Sequence, residues 1–408
     1  METTVHNPDR YMGDLRQILA QGRKRIGMIL GAGCPASICI DPSSNIISHE
    51  GVKLIPTVEE LTQKVCGKLT EEETKVVAEI SKELSSSPTG ASPTIEMILS
   101  RVRSLAAIIG STSIHGYDGP KFTVLAQRIC SLIGEVVSSE LPSGSNAYTD
   151  LAAWIGGTHR THAIEVFTPN YDLLFEEAFE RLGIPYFDGF SGAFEPFFDP
   201  SSISNDDLPP RWARIWKLHG SLGWAENNAG GIVRCKGRQA AQLIYPDHLK
   251  YDQIQKLPFA AFFDRLRRFL TMPDTLLLTC GFSFHDAHIS AVIDDALVAN
   301  PAASIFAFQY NCLDEESHAC DMAAKRPNMS VYAKDGAVIN CIHAPWKPGD
   351  LPSPEWGVIR KSYWRTPQSG NGDVFLLGDF VSFASFFALT HAERVAIPQD
   401  PAASGDLA

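Results

Sequence analysis

Two side chains able to move protons or orient water each lie just beyond an apolar run. Asn170 sits within Thr168-Pro169-Asn170-Tyr171-Asp172, and His219 opens His219-Gly220-Ser221. An asparagine amide both donates and accepts, so it can fix a ribose hydroxyl or align a water at an anomeric carbon. Histidine transfers protons near neutral pH, and Gly220 permits close approach of a reactant. Each residue also has a structural reading. A lone histidine commonly packs or faces solvent, and Asp172 can cap the helix that follows it.

Two glycine-bearing segments add a second kind of chemistry. Gly31-Ala32-Gly33, with Ser37 close behind, and Gly281-Phe282-Ser283-Phe284 both end apolar runs. A glycine turn entering a helix exposes backbone donors that suit a pyrophosphate, and the missing Cβ lets a ligand come close. The same glycines can equally make a tight strand exit. Ser37 adds a phosphate or ribose contact, but no GxSxG elbow surrounds it, so it is not read as a nucleophile. Gly281 and Ser283 can accommodate phosphate or ribose groups, while Phe284 reads as packing. Gln309 and Asn311 follow another apolar run and either contact a second ribose or form an ordinary polar loop. Lys334 and Asp335 occupy a comparable but weaker position.

The elements that must position these loops follow from the apolar runs themselves. Ile26 to Leu30, Ala163 to Phe167, Arg214 to Leu218, Thr275 to Thr279, Ile305 to Phe308 and Met329 to Ala333 read as strands, with helices such as Leu173 to Leu182 between them. This succession predicts an α/β fold, a Rossmann-like, mostly parallel sheet with a helical insertion. Helical periodicity appears at Ile95, Ile98, Leu99, Val102 and Leu105, after Pro93-Thr94, and again at Phe122, Leu125, Ile129, Ile133 and Val136. The expected organisation is a nucleotide-binding core in 1–45 and 160–345, a helical insertion in 46–159, and a C-terminal packing or oligomerisation extension in 346–408. Residues 223–258 read as a further insertion or lid. Phe380 to Leu389 is an aromatic helix whose face either docks on the core or meets another subunit.

Composition narrows the function classes. A formal charge of -12 disfavours a broad nucleic-acid footprint, although a local basic patch stays open. No apolar stretch is long enough to span a bilayer, since the run from Val374 to Leu389 is broken by Gly378, Asp379 and serines. The opening residues show no basic-then-apolar leader. Nine scattered cysteines fit cytosolic thiols and a cytoplasmic location. Cys34 and Cys39 lack a second cysteine pair at zinc spacing, so neither a structural zinc nor another metal site is expected.

In their order along the chain these motifs resemble the sirtuin superfamily. Gly31-Ala32-Gly33 with Ser37 is similar to its first NAD-binding motif. Thr168, Asn170 and Asp172 match the central Thr-Gln-Asn-x-Asp pattern, with Pro169 in place of glutamine. His219-Gly220 resembles the catalytic His-Gly pair, and Gly281-Phe282-Ser283 the later Gly-Thr-Ser loop; Gln309, Tyr310 and Asn311 match the adenosine-side segment only approximately. The resemblance covers most of residues 26 to 335. It implies NAD as substrate, with Asn170 and His219 catalytic and Gly31, Ala32, Gly33, Ser37, Thr168, Asp172, Gly281, Ser283, Gln309 and Asn311 binding the nucleotide.

Deacetylases of the superfamily often carry a four-cysteine zinc module after the histidine, which is missing here. With the long helical insertion, this departure resembles bacterial antiphage sirtuin-like effectors. It implies an NAD glycohydrolase that releases nicotinamide and an ADP-ribose product, works as a homo-oligomer, and associates with a HerA-type ATPase, an Argonaute-like protein or a phage-derived activator. The alternatives are an NAD-dependent protein deacylase, an NAD-binding sensor subunit, and a metal-dependent DNase built on Asp286, His288, Asp294 and Asp295.

Overall fold

The computed structural model describes residues 4–41, 43–47, 51–85, 93–205, 208–235, 257–351, 356–366 and 373–390. Its centre is a nine-stranded sheet made of β1 (Arg25–Leu30), β2 (Glu165–Thr168), β3 (Tyr186–Phe187), β4 (Ala213–Lys217), β5 (Thr275–Cys280), β6 (Ser304–Phe308), β7 (Met329–Tyr332), β8 (Gly336–Ile339) and β9 (Ile342–Pro345). The spatial order is β9-β8-β7-β6-β5-β1-β2-β4-β3. Seven strands run parallel, and β8 and β9 close one edge as an antiparallel pair.

The apolar runs are continuous because both faces of these strands are covered. Along β1, Ile26, Met28 and Leu30 enter one core, while Ile29 points to the other. The first core lies under α1 (Pro8–Ala20) and the helices of the insertion, among them α2 (Ile95–Ile108), α3 (Gly119–Val137) and α4 (Ala147–Gly157). The second lies under the helices Phe259–Thr271 and Ala287–Ala299. Thr94 caps α2 by accepting from the amide of Met97, and the apolar residues at helical spacing face inward, as the sequence predicts.

Of the span 223–258, the strands Trp224–Glu226 and Ile232–Arg234 join a small antiparallel sheet with Phe197–Phe198 and Phe190–Ser191. Residues 236–256 of this expected insertion or lid lie outside the described residues. The aromatic helix forms over Phe380–Leu389, and its ring face is used up within the chain. Phe380 meets Tyr148 edge-on, Phe387 meets Trp154, and Phe383 meets Phe308, at centroid separations of 4.9, 4.7 and 5.6 Å. Of the two uses that the sequence leaves open for these rings, they take docking on the core by edge-to-face packing.

The chain leaves β1 toward β2 on one side of the sheet and later returns to β5 on the other. The strand order thus reverses between β1 and β5. In open parallel sheets the crevice at that point, beyond the carboxyl ends of the strands, is where ligands bind.

Candidate functional site

The loops after β1 and β5 meet backbone to backbone at the reversal. The amide of Gly31 donates to the Cys280 carbonyl, and that of Gly33 to the Gly281 carbonyl, each at 3.0 Å. A Cβ on Gly33 would stand 2.7 Å from the Cα of Gly281, and one on Gly281 would stand 2.7 Å from the amide nitrogen of Cys34. Gly281 also has φ of +63°, a region that favours glycine. Of the two readings of these glycines, close ligand approach or a tight strand exit, the contacts favour the second: the space a side chain would fill holds the neighbouring loop, and glycine lets the two strand exits cross.

The loop after β2 is tied to the same point. The Thr168 hydroxyl donates to the Leu30 carbonyl at 2.7 Å and accepts from the Asn170 amide at 3.0 Å. Asn170 then donates through Nδ2 to the Gly31 carbonyl at 2.9 Å. Its amide is therefore fixed in orientation, and what it offers a ligand is acceptance at Oδ1. The loop after β4 runs alongside, because the Leu218 amide donates to Thr168 and the Leu222 amide to Tyr171, both at 2.9 Å. This places His219 beside the Asn170 loop on a left-handed turn at Gly220, whose φ is +91°.

His219 is 4% exposed, and its Nε2 lies 3.1 Å from Oδ2 of Asp286, itself nearly enclosed. The pair is close but not aligned as a hydrogen bond; catalytic contacts in ligand-free sites are often of this kind. The other Asp286 oxygen caps the helix Ala287–Ala299, accepting from the amides of His288 and Ile289.

Beneath the Asn170 loop is a buried charged cluster. Asp172 caps the helix Leu174–Arg181 by accepting from the Leu174 amide at 3.1 Å. Lys217, the last residue of β4, donates to the Asp172 backbone carbonyl and lies 3.4 Å from Oε1 of Glu176. Burial pushes the Asp172 carboxyl above the usual aspartate range, and Lys217 only partly offsets that.

The remaining candidate residues sit less centrally. Ser37 donates to the Cys34 carbonyl at 2.8 Å, its own helix turn. Ser283 is exposed in the loop after β5, and Phe284 is core. Gln309 is buried and supports the glycine loop by donating to the Phe282 carbonyl at 3.1 Å, which makes it a positioning residue. Asn311 turns aside to Glu316, donating at 3.1 Å. Asp335 accepts from the Leu313 amide. Of the proposed nuclease set, Asp294 is held by Arg326 at 2.7 and 2.8 Å. Among the described residues no group of three or more His, Cys, Asp or Glu is arranged to hold a metal ion.

Sequence reasoning missed three contributors. Lys217 was read only as part of a strand, Asp286 was placed in a nuclease cluster, and Gly378 was read as a break in an apolar run. A Cβ on Gly378 would stand 2.6 Å from the amide nitrogen of Tyr310, so this glycine lets the C-terminal segment press on the exit of β6. No periodicity signals such crossings. The Lys at position 217, at the end of a fully buried strand, was the one visible clue.

A glycine clamp, an oriented amide and a buried imidazole thus lie together at the strand reversal of a doubly wound sheet. Residues 164–328 match the family model described as a SIR2-like domain. The chain is similar to a structure described under "Structural Basis for the Mechanism and Regulation of Sir2 Enzymes", 13% identical, covering 74% of this chain and 86% of that one, with a TM-score of 0.33. It is also similar to a serine-to-alanine mutant of a Sir2 homologue in complex with ADP-ribose, 12% identical, covering 72% and 84%, with a TM-score of 0.31. No curated protein matches the chain.

Proposed function

We propose that this protein is an NAD glycohydrolase that cleaves the nicotinamide–ribose bond. The observation that carries the reading is the Asn170 amide, pinned by Gly31 so that its acceptor oxygen is left for water or a ribose hydroxyl, with His219 on the adjacent loop. The SIR2-like match to residues 164–328 supports NAD as the nucleotide.

As the bond breaks, its electron pair leaves with the nicotinamide nitrogen and positive charge builds on the ribose. Water, aligned by Asn170, attacks the anomeric carbon and passes its proton to His219. The clamp formed by Gly31, Gly33 and Gly281 would hold the diphosphate side, and Thr168 and Asp172 would fix the Asn170 loop. Ala32 and Ser37 belong to the same turn, Ser283 to the loop after β5, and Gln309 to the floor of the crevice.

Product-resolved chromatography tests the assignment. Purified protein with NAD and no acylated peptide should release nicotinamide and ADP-ribose in equal amounts. Turnover only when an acyl-lysine peptide is added would establish a deacylase instead, and binding without turnover a sensor.

We further propose an effector role in antiphage defence, within a homo-oligomer and a complex with a HerA-type ATPase, an Argonaute-like protein or a phage-derived activator. The motif set and the helical insertion support it. Isolation of the intact complex from phage-challenged cells, followed by mass measurement and an NAD assay, should recover a partner and raised turnover; a monomer whose activity is unchanged by challenge would reject it.

A further inference from the structure

We infer that Asp286 is the positioning residue for His219, forming an aspartate–histidine dyad that spans two loops of the site. The inference rests on the proposed glycohydrolase reaction for its kinetic consequence, though not for its geometry.

Asp286 has a neighbour at each carboxylate oxygen, hydrogen-bonded at Oδ1 and in close ionic approach at Oδ2. Oδ1 accepts from the amides of His288 and Ile289 at 3.0 and 2.8 Å, so backbone donors at a helix start fix its rotamer. Oδ2 is thereby held 3.1 Å from Nε2 of His219, within ion-pair distance though not yet in hydrogen-bond alignment, and both side chains are more than nine-tenths enclosed. A helix cap alone needs one oxygen. A carboxylate whose second oxygen is held in the interior against an imidazole does a second job.

An ionised carboxylate can only accept hydrogen bonds. Facing Oδ2, the Nε2 of neutral His219 therefore carries its proton, and the basic lone pair falls on Nδ1. When Nδ1 takes the proton from the attacking water, the ring becomes an imidazolium, and Asp286 stabilises that charge without itself being protonated. The aspartate of hydrolytic triads serves its histidine in the same way. The helix Ala287–Ala299 adds a mechanical consequence. Because its cap is also the histidine's partner, the loop after β5, which carries Gly281 of the clamp, is in register with the loop after β4, which carries the base.

Asp286→Asn separates this role from capping. Asparagine is an equally good helix cap and has the same shape, so Oδ1 keeps its two backbone donors while Oδ2 becomes an NH₂ group. That group donates toward Nε2 and favours the opposite tautomer. The expected result is a kcat for nicotinamide release about 100- to 10,000-fold lower, with KM changed less than about threefold and Tm changed by less than about 2 °C. Imidazole nitrogen NMR of the NAD-free protein should show a protonated Nε2 on His219 in the wild type and not in the variant. Asp286→Ser, which also caps but brings no charge, should lose kcat similarly. A folded Asp286→Asn protein with wild-type kcat, or identical His219 spectra in the two proteins, would overturn the dyad. If the wild type itself releases no nicotinamide, the reaction assignment falls, and the His219 spectra alone still decide the dyad.

Discussion

Replacing Gly33 with alanine tests the clamp between the two strand exits. Gly33 starts a short helix with ordinary helical backbone angles, so alanine brings no dihedral strain and acts only through its methyl group. That methyl would stand 2.7 Å from the Cα of Gly281, and 3.3 Å from its carbonyl oxygen, where ordinary contacts begin at 3.4 Å. Both partners are backbone, so no side chain can rotate away. The loops after β1 and β5 must part by about 0.7 Å, an overpacking that costs about 1–3 kcal/mol. For a chain of this size, Tm should fall by about 1 °C for each kcal/mol. Displacements near 1 Å in a positioning loop cost about 100-fold in rate, so turnover should drop by about 10- to 100-fold. Denaturant unfolding and nicotinamide release would be measured beside Gly157→Ala, whose methyl meets nothing within 4 Å at the end of α4. A Gly33→Ala protein with the stability and turnover of that control would refute the clamp.

Asp172→Asn should separate stability from activity. The folded carboxyl titrates above its ordinary value because of burial. The folded state therefore binds more protons than the unfolded state between the two values, and wild-type stability rises as pH falls through that window. The asparagine variant should lack this rise and be no less stable at neutral pH, while losing turnover; urea midpoints across pH check it, and parallel curves would reject the buried charge. Lys217→Met leaves Asp172 and Glu176 without their cation, so unfolding free energy should fall by about 3–5 kcal/mol; a denaturant midpoint equal to wild type would show that the cluster carries no such charge. Tyr171→Phe removes the hydroxyl that donates to Glu96 of α2 at 3.0 Å and should cost about 1–3 kcal/mol by the same measurement.

Strand exits were legible because each buried strand is an apolar run that stops at glycine or a polar residue; the loops at 31, 168, 219 and 281 therefore stood out. The helices Ile95–Ile108 and Gly119–Val137 were legible for the matching reason, an inward face at helical spacing. The two-residue strand Tyr186–Phe187 and the edge pair β8–β9 were not, since pairings this short leave no periodic trace. Within the site, residue types were readable but partners were not. Asp286 looked like a surface carboxylate because its partner His219 is 67 positions away, and the glycines looked like ligand space because nothing local shows that Gly281 crosses them. Gln309 and Asn311 were grouped by adjacency, yet the first turns inward to Phe282 and the second aside to Glu316.

The central claim is that Asn170 and His219 act on NAD at this site. Its most direct test measures NAD binding by calorimetry, thermal unfolding and nicotinamide release on the wild type, Asn170→Ala and His219→Ala in one buffer. Both variants should fold and still bind NAD, with His219→Ala releasing nicotinamide about 100- to 10,000-fold more slowly and Asn170→Ala impaired comparably. Nicotinamide release at the wild-type rate by either folded variant would contradict it.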